Sequence, residues 1–445
     1  AQAQDNDDKK WQVDAPQGQF VDANISVSQG TWMNIDVSPD GKTIVFDLLG
    51  DIYTMPMAGG TATQLTSDIA WQMQPRFSPD GKHIAFTSDQ GGGDNIWLMD
   101  LNGENQTAVT DETFRLLNSP AWSPDGDYIV ARKHFTASRS LGAGEVWLYH
   151  KAGGKGVQLT KRENDQKDLG EPMFSPDGRY VYFSHDATPG KTFHYSKDSV
   201  AGIYKIKRYD RETGEIETII DGMVGAIRPT PSPDGKKLAY IKRDDFQTSL
   251  YLYDLTGGKH TKLYDKLERD MQETWAIHGV YPTIAWTPDN NQLVFWAGGT
   301  IHKLDVQDGD VETVPFEVKT SKKIQQAVRF TQNIDSDEFA VKMLRNVQIS
   351  PDGETAIFEA LGHIYKRDLE SGKIKRLTKQ DDHFELFPQF SRDGKKIVYV
   401  TWDDNEQGAV RVVSARSGRG DDITTEPGKY VEPTFSPDGK TVVYR

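Results

Sequence analysis

The chain has 445 residues, of which 27% are charged, and it carries a formal net charge of −14 at pH 7. It contains no cysteine, which excludes disulfides, thiolate nucleophiles and cysteine metal sites. No stretch approaches the roughly 18 apolar residues of a membrane span, and the acidic balance without a dense basic cluster argues against nucleic acid as a partner.

The chain opens with Ala1 to Gln4 and has no initiating methionine. This pattern is typical of the mature end left after a signal peptide is removed beside small residues. We therefore expect a periplasmic or secreted protein. Residues 1–29 are predicted to form an N-terminal tail with a possible closing strand.

From there a Ser-Pro-Asp-Gly turn, or a near copy, recurs nine times at spacings of 40 to 63 residues. This period is typical of four-stranded propeller blades rather than of helical hairpin repeats. Proline presets the first corner of such a turn and glycine accepts the positive φ that closes it. The copies begin at Ser38, Ser78, Ser123, Ser175, Ser232, Thr287, Ser350, Ser391 and Ser436.

Each repeat predicts four strands in order, the first often led by proline and the second following the turn. Helical periodicity is almost absent, and the best stretch, Leu263 to Thr274, is interpreted as an excursion between blades. The fold class is therefore all-β, as tandem β-propellers of four-stranded blades.

Nine repeats exceed the four to eight blades usual for one ring, so two rings are favoured over a single large one. Residues 30–318 are predicted to form a six-bladed ring, and residues 319–343 to cross between rings. Within this crossing, Lys319 to Lys323 is interpreted as a solvated loop. Residues 344–445 are expected to begin a second propeller that stops in the middle of a blade.

No motif in these repeats carries recognisable catalytic chemistry. Ser184, His185 and Asp186 are adjacent on a predicted strand, where side chains alternate between faces and cannot form a relay. The acidic runs Asp5 to Asp8 and Asp381-Asp382 lack calcium-loop spacing. The ten histidines, including His194, show no metal-ligand spacing, so neither a catalytic residue nor a metal is assigned.

The central channel is the default place for a ligand, because the first strand of each blade lines it. Residues just before the proline of these strands are expected to face the channel or its mouth. For any one of them, contact with channel water alone is an alternative. The binding candidates are Gln74, Ser119, Glu171, Arg228, Tyr281 and Glu432.

The turns, together with Gly-Gly and Leu-Thr hairpins, resemble the TolB-type propeller repeat with its PD40 turns. More specific strand sequences resemble the propeller half of large exported amidohydrolases related to imidazolonepropionase. They are Val37 to Tyr53, Val146 to His150, Tyr209 to Gly214 and Val400 to Asp404.

This resemblance covers nearly the whole chain and implies that the propellers precede a metal-dependent amidohydrolase barrel. The expected roles of the propellers are scaffold and substrate gate for that barrel, with a small peptide or amide as substrate. A divalent, zinc-like metal is expected in the barrel, and no cofactor in this segment. The segment alone is expected to be inactive.

Two alternatives remain open at this stage. One is a TolB-like periplasmic propeller that binds partner proteins, and the other is the propeller part of a tricorn-type serine protease. All three share the turns described above.

Overall fold

The computed structural model describes residues 12–13, 15–136, 142–164, 166–191, 197–198, 200–274, 276–327 and 329–445. The chain divides into two compact units, Ala1–Val328 and Arg329–Arg445. Every regular element in the described ranges is a β-strand, which confirms the predicted all-β class.

Six four-stranded antiparallel sheets follow one another in the first unit, each built as a simple meander. We name them blades I to VI in chain order. Blade I contains β2 (Ile35–Val37), β3 (Thr43–Leu48), β4 (Asp51–Pro56) and β6 (Thr63–Gln64). Blade II contains β7 (Gln72–Phe77), β8 (His83–Ser88), β9 (Asn95–Asp100) and β10 (Thr107–Ala108). Blade III contains β11 (Leu116–Trp122), β12 (Tyr128–Thr136), β13 (Gly142–His150) and β14 (Val157–Gln158).

The remaining blades of this unit have the same order of strands. Blade IV contains β15 (Leu169–Phe174), β16 (Tyr180–Asp186), β17 (Tyr204–Asp210) and β18 (Ile216–Ile220). Blade V contains β19 (Ile227–Pro231), β20 (Lys237–Asp244), β21 (Gln247–Asp254) and β22 (His260–Tyr264). Blade VI contains β23 (Ala285–Trp286), β24 (Gln292–Ala297), β25 (Thr300–Asp305) and β26 (Val311–Val314).

The recurring turn has the hydrogen bonds that its residue types predict. In the first copy, Ser38 Oγ donates to Asp40 Oδ1 at 2.6 Å and accepts from Thr43 N at 2.9 Å. Gly41 N donates to Ser38 O at 2.8 Å. The same pattern recurs around Ser78, and it locks the first two strands of each blade in register.

The apolar core lies between successive blades rather than within any one of them. One cluster joins side chains of blades II and III, such as Ile96 and Ile129, both fully buried. Another joins blades V, VI and I, with Phe46 and Phe295 at 0% exposure. Burial between neighbours therefore supplies the hydrophobic stabilisation of the array.

Blade I meets blade VI, which closes the six blades into a ring. Thr283 Oγ1 accepts from Ile35 N at 2.6 Å and donates to Ile35 O at 2.8 Å. Gly41 lies beside the ring of Pro288, just as the glycine of a later turn lies beside the proline of the preceding one.

A second closure is made outside the blades by β1 (Phe20–Val27), β5 (Gly60–Thr61) and β27 (Phe316–Gln325). The strand β27 leaves blade VI, pairs in parallel with β5 beside blade I, and pairs along its length with β1 in antiparallel register. We call the β1–β27 pair the clasp. It draws the two ends of the first unit together.

The interpretation of Lys319 to Lys323 as a solvated loop is wrong. These residues lie in β27, and Lys322 Nζ is 2.6 Å from Oδ2 of Asp51, a carboxylate that is 0% exposed. Lys319 and Lys323 lie on the exposed face of the strand and Lys322 on the opposite face, because side chains alternate along a strand with a period of two.

The second unit holds two further four-stranded blades and a strand pair. Blade VII contains β28 (Arg345–Ile349), β29 (Thr355–Ala360), β30 (His363–Asp368) and β31 (Ile374–Arg376). Blade VIII contains β32 (Phe384–Phe390), β33 (Lys396–Trp402), β34 (Val410–Ser414) and β35 (Gly420–Asp422). The pair is β36 (Thr434–Phe435) with β37 (Val442–Val443).

Candidate functional site

The candidate residues before the strand prolines share an unusual backbone conformation. Gln74, Ser119, Glu171 and Arg228 have φ between 56° and 58°, in the left-handed region. Each lies at a register shift between the first and second strands of its blade. Such a β-bulge turns the side chain toward the neighbouring blade, at a backbone cost of about 1–3 kcal/mol.

These side chains form hydrogen bonds from blade to blade. Gln74 Oε1 accepts from Ser119 N at 2.7 Å, and Gln74 N donates to Asp47 of blade I at 2.8 Å. Glu171 Oε2 accepts from Arg228 N at 2.8 Å. The polar candidates therefore satisfy the backbone groups that the bulges release from strand pairing.

Tyr281 does not occupy the equivalent position in blade VI. Counting back from the turn places Thr283 there, and in blade I the position belongs to Asn34. Thr283 N donates to Asn34 Oδ1 at 3.2 Å, which continues the pattern across the closure of the ring. Tyr281 instead ends a long connection that enters the ring.

We call the described residues of this connection, 267–274 and 276–281, the plug segment. Near its tip, Ile277 O accepts from Asn118 Nδ2 of blade III at 3.1 Å, and His278 O accepts from Gln74 Nε2 of blade II at 2.6 Å. Val280 N donates to Glu171 Oε1 of blade IV at 2.9 Å. The segment thus crosses the axis of the ring and contacts blades II, III and IV.

Blade V completes this set of contacts. Arg228 Nη2 donates to Tyr281 O and lies 3.1 Å from Glu171 Oε1. Gln74, Glu171, Arg228 and Tyr281 are all buried, with exposures of 1–2%. The structure therefore brings four of the predicted candidates together, but around the protein's own chain rather than around an open mouth.

Burial lowers the pKa of Arg228 to about 10, and Glu171 opposes that shift. The guanidinium therefore remains charged at neutral pH. Its Nε has no hydrogen-bond partner among the described residues. Arg228 and Glu171 thus form a buried ion pair, and the guanidinium also donates to the carbonyl of Tyr281 in the plug segment.

A second buried ion pair holds the base of the plug segment. Arg243 binds Asp270 through Nε at 2.9 Å and Nη2 at 2.7 Å, and it also binds Glu273. The contact with Arg243 lowers the pKa of Glu273 to about 2. Thr248 Oγ1 also donates to Asp270 at 2.8 Å, so charge-assisted hydrogen bonds from two side chains of blade V hold the base of the segment.

Beside the plug segment a cavity of about 450 Å³ remains between blades I and II. Its apolar walls include Trp32, Leu49, Trp71, Met73 and Met271. Polar groups from Asn34, Asp47, Gln72 and His278 also line it. We call it the mouth cavity.

Asp47 lies at this cavity and is 6% exposed. Its carboxylate accepts from Asn34 N at 2.7 Å, from Asn34 Nδ2 at 2.8 Å and from Gln74 N at 2.8 Å. Burial outweighs these bonds and raises the pKa of Asp47 to about 6. Asp47 was not identified from the sequence. For the plug segment, the sequence indicated only that Leu263 to Thr274 forms an excursion between blades.

The last candidate, Glu432, lies in the second unit. It shares the left-handed conformation, with φ 53°, but its side chain is exposed and pairs with Arg445 at 3.2 Å. It lines none of the cavities described here, and its role in binding stays a prediction.

The adjacent Ser184, His185 and Asp186 do not form a relay. Ser184 Oγ donates to Glu171 at 2.6 Å, whereas Asp186 pairs with Lys197 at 3.0 Å. In the described ranges no group of three or more histidine, aspartate or glutamate side chains is placed to hold a metal ion. His194 and Asp5 to Asp8 lie outside the described residues.

Residues 21–207 match the PD40 family, the TolB beta propeller domain. This part of the chain is similar to TolB-type β-propellers. The match spans blades I to III and most of blade IV. No helix in the described residues is long and apolar enough to cross a membrane.

Three known proteins are similar to this chain in sequence or in fold. The uncharacterized protein Atu1656 of Agrobacterium fabrum is 25% identical over 280 residues, covering 58% of this chain and 82% of that protein. Dipeptidyl-peptidase 5 of Porphyromonas gingivalis is 24% identical over 337 residues, covering 63% of this chain and 46% of the peptidase. The crystal structure of the tricorn protease shares the fold, with a TM-score of 0.50 and 15% identity, covering 94% of this chain and 46% of that one. The chain therefore spans less than half the length of both peptidases.

Proposed function

We propose that this chain is the propeller part of a larger exported hydrolase that cleaves amide or peptide bonds. The observation that carries this proposal is the similarity to dipeptidyl-peptidase 5, which takes in 63% of this chain but only 46% of the peptidase. A shared propeller attached to a separate catalytic part accounts for both figures. The role of the chain is then to hold and orient that part.

Within this class we favour a metal-dependent amidohydrolase as the catalytic part, on the strand sequences that resemble exported amidohydrolases. The described residues themselves do not fit a metal, since no suitable cluster exists among them. Any zinc-like ion belongs to the catalytic part, and no chemical step is assigned to the propeller. We further propose export to the periplasm or outside the cell, as is typical of TolB-like propellers.

The second unit supports a continuation of the propeller array. Val347 and Ile349 on the inner strand of blade VII are 52% and 53% exposed. The equivalent residues of blade I, Ile35 and Val37, are 0% and 8% exposed because blade VI covers them. Further blades that close a second ring would bury the same positions in the second unit.

The plug segment narrows what the first ring can do. A substrate could pass through this ring only if the plug segment left the axis, since the tip of the segment is hydrogen-bonded to Gln74, Glu171 and Arg228. A scaffold role requires no such movement. We therefore favour the scaffold role over the substrate gate.

The first test is the intact mass of the protein from its native source, with metal analysis and a screen of dipeptide and amide hydrolysis. A mass well above 50.0 kDa, bound metal and activity lost with a chelator would support the amidohydrolase. Activity that resists the chelator but is lost with a serine-directed phosphonate would replace it with a serine peptidase of the tricorn or dipeptidyl-peptidase kind.

A TolB-like binding propeller is the alternative from another class. It predicts a native chain near 50.0 kDa, no hydrolysis, and stable capture of a partner protein. The TolB-like match over residues 21–207 is the observation that favours it.

A further inference from the structure

The mouth cavity presents apolar walls together with hydrogen-bond acceptors. Trp71 is 51% exposed and Leu49 is 44% exposed, although both are large apolar side chains next to buried blades. Leu49 also has a left-handed φ of 54°, a strained conformation for this residue type. Exposed aromatic and strained apolar residues around one cavity are typical of binding sites.

The wall formed by Trp71 is built into the fold. A Cβ on Gly50 would lie 2.7 Å from Cε3 of the Trp71 ring, so the glycine permits the ring to lie on the turn between β3 and β4. Trp71 N donates to Asp89 Oδ1 at 2.7 Å, which fixes the backbone at the same point. The indole is thus positioned before any ligand arrives.

One buried acceptor at the cavity has no donor. Gln72 is 0% exposed and lines the cavity; its Nε2 donates to Asp68 at 2.6 Å, but its Oε1 accepts no hydrogen bond from the described residues. An unsatisfied buried amide oxygen is destabilising. A ligand that brings a donor would remove that cost.

The charge around the cavity is negative. Asp47 lines it, Asp68 and Asp89 lie at its blade II side, and the mutual repulsion of Asp68, Asp89 and Asp94 helps burial to raise the pKa of Asp89. His278 is already paired with a carboxylate, since its Nε2 lies 2.7 Å from Oδ2 of Asp94. A cationic group is therefore the complementary ligand.

We propose that the mouth cavity binds a primary ammonium carried on an apolar stem, as in a lysine side chain of a peptide or protein. The stem contacts Trp71, Met73 and Leu49, and the ammonium donates to the acceptors at the base, including Gln72. The negative face of an aromatic ring attracts such cations electrostatically. The volume of about 450 Å³ exceeds that of one residue, so part of the adjacent residue also fits. This site is independent of the proposed hydrolase function.

The test is calorimetry on the full chain with two probes whose carbon stems have the same length. Nα-acetyl-lysine methylamide carries the side-chain ammonium, and Nα-acetyl-norleucine methylamide carries the same carbon stem without it. We expect the lysine probe to bind at least tenfold more tightly, and its affinity to fall as salt is raised. Equal binding of the two probes, or no binding of the lysine probe, would overturn the proposal.

Variants locate the binding. Trp71→Ala should weaken the lysine probe at least tenfold, and Gln72→Leu at least fivefold. Phe114→Ala is the matched control, because Phe114 is 72% exposed and does not line the cavity. Unchanged affinity in Trp71→Ala, which removes a half-exposed side chain and should fold, would place the binding elsewhere and reject the site.

A third probe separates the two sources of an ammonium. Leucinamide offers a terminal ammonium beside an apolar side chain. Binding of both amines supports the general chemistry of the site, whereas binding of leucinamide without the lysine probe overturns the assignment to a lysine side chain.

Discussion

Polar side chains in left-handed backbone positions hold the middle of the first ring together. Gln74, Glu171 and Arg228 combine a strained φ with nearly complete burial, and each links one blade to the next or to the plug segment. The strain at these backbone positions is offset, because the hydrogen bonds made there satisfy backbone amides that would otherwise be buried without partners. They are therefore structural as the chain stands, and an external ligand would have to replace existing bonds.

Gly279 shows how closely the plug segment fits. It has φ +104°, and a Cβ there would lie 2.6 Å from Arg228 Nη2 and 3.1 Å from Glu171 Oε1. We expect Gly279→Ala to lower the free energy of unfolding by about 2–4 kcal/mol, through both steric overlap and backbone strain. Urea denaturation measures this change.

Gly298→Ala is the control for that substitution. Gly298 also has a positive φ, +59°, but a Cβ there meets no atom within 4 Å. Its cost should be about 1 kcal/mol, from the backbone alone. Equal losses in the two variants would contradict the close fit of Gly279.

Asp47 should make stability depend on pH. Burial raises its pKa from 3.8 to about 6 in the folded chain, so the folded state favours the protonated carboxyl. This contribution destabilises the protein as pH rises from about 4 to 6 and stays constant above that range. At 1.36 kcal/mol per pKa unit the effect is about 2–3 kcal/mol.

The comparison that isolates this effect is wild type against Asp47→Asn, by urea denaturation at pH 4 and pH 7. Other carboxylates titrate equally in both proteins, but only the wild type carries the Asp47 contribution. The wild type should therefore lose about 2–3 kcal/mol more than the variant between these pH values. Parallel pH profiles would show that the pKa of Asp47 is close to its ordinary value.

Among the elements, the strands follow directly from the sequence and the plug segment does not. Strand order could be predicted because each Ser-Pro-Asp-Gly turn fixes one hairpin, and the apolar runs beside it have a period of two. The plug segment has no such local signal. Its position depends on Gln74, Glu171 and Arg228, which are far away in sequence, and its own residues read only as an irregular excursion.

The candidate site was likewise predicted only in part. A polar residue followed by proline located the bulge positions in blades II to V, because this pair recurs at a fixed distance before each turn. In blade VI the proline, Pro282, lies two residues earlier relative to the turn, and the rule selected Tyr281 in place of Thr283. The walls of the mouth cavity come from several separate segments, so no single stretch of sequence shows them.

The plug segment should be held in place mainly by Asp270. Asp270→Ala leaves Arg243, whose side chain is 1% exposed, with Glu273 as its remaining carboxylate. Removing one partner of a buried ion pair costs about 3–5 kcal/mol, and the retained Glu273 places the expected loss at the lower end. Trypsin should also cut faster at Arg269, whose side chain is 75% exposed.

Lys262→Ala provides the comparison at an exposed ion pair. Lys262 lies 3.1 Å from Asp244, and the two side chains are 46% and 37% exposed. Its loss should leave the free energy of unfolding nearly unchanged and leave the rate of cleavage at Arg269 unchanged. If Asp270→Ala has as small an effect as Lys262→Ala, the base of the plug segment is not held by the pair of Arg243 and Asp270.

At the scale of the whole molecule, the chain consists of two compact units with separate cores. The first unit has a closed ring and the clasp, whereas the described residues of the second include two blades and a strand pair. We expect residues 1–328 to fold without the remainder, with a thermal midpoint within about 3 °C of the corresponding transition of the full chain. Calorimetry of the two proteins tests this, and a truncated chain without a cooperative transition would refute it.

The clasp and the plug segment also imply an order of assembly during synthesis. The plug segment follows blade V in the chain, so the four blades that its tip contacts have left the ribosome before it does. The strand β27 comes later still and pairs with β1, which precedes all six blades in the chain. The nascent chain must therefore keep β1 unpaired while almost 300 residues are translated. During that time its exposed edge can pair with strands other than β27. A chaperone that shields this edge would act on the same surface that the clasp finally covers.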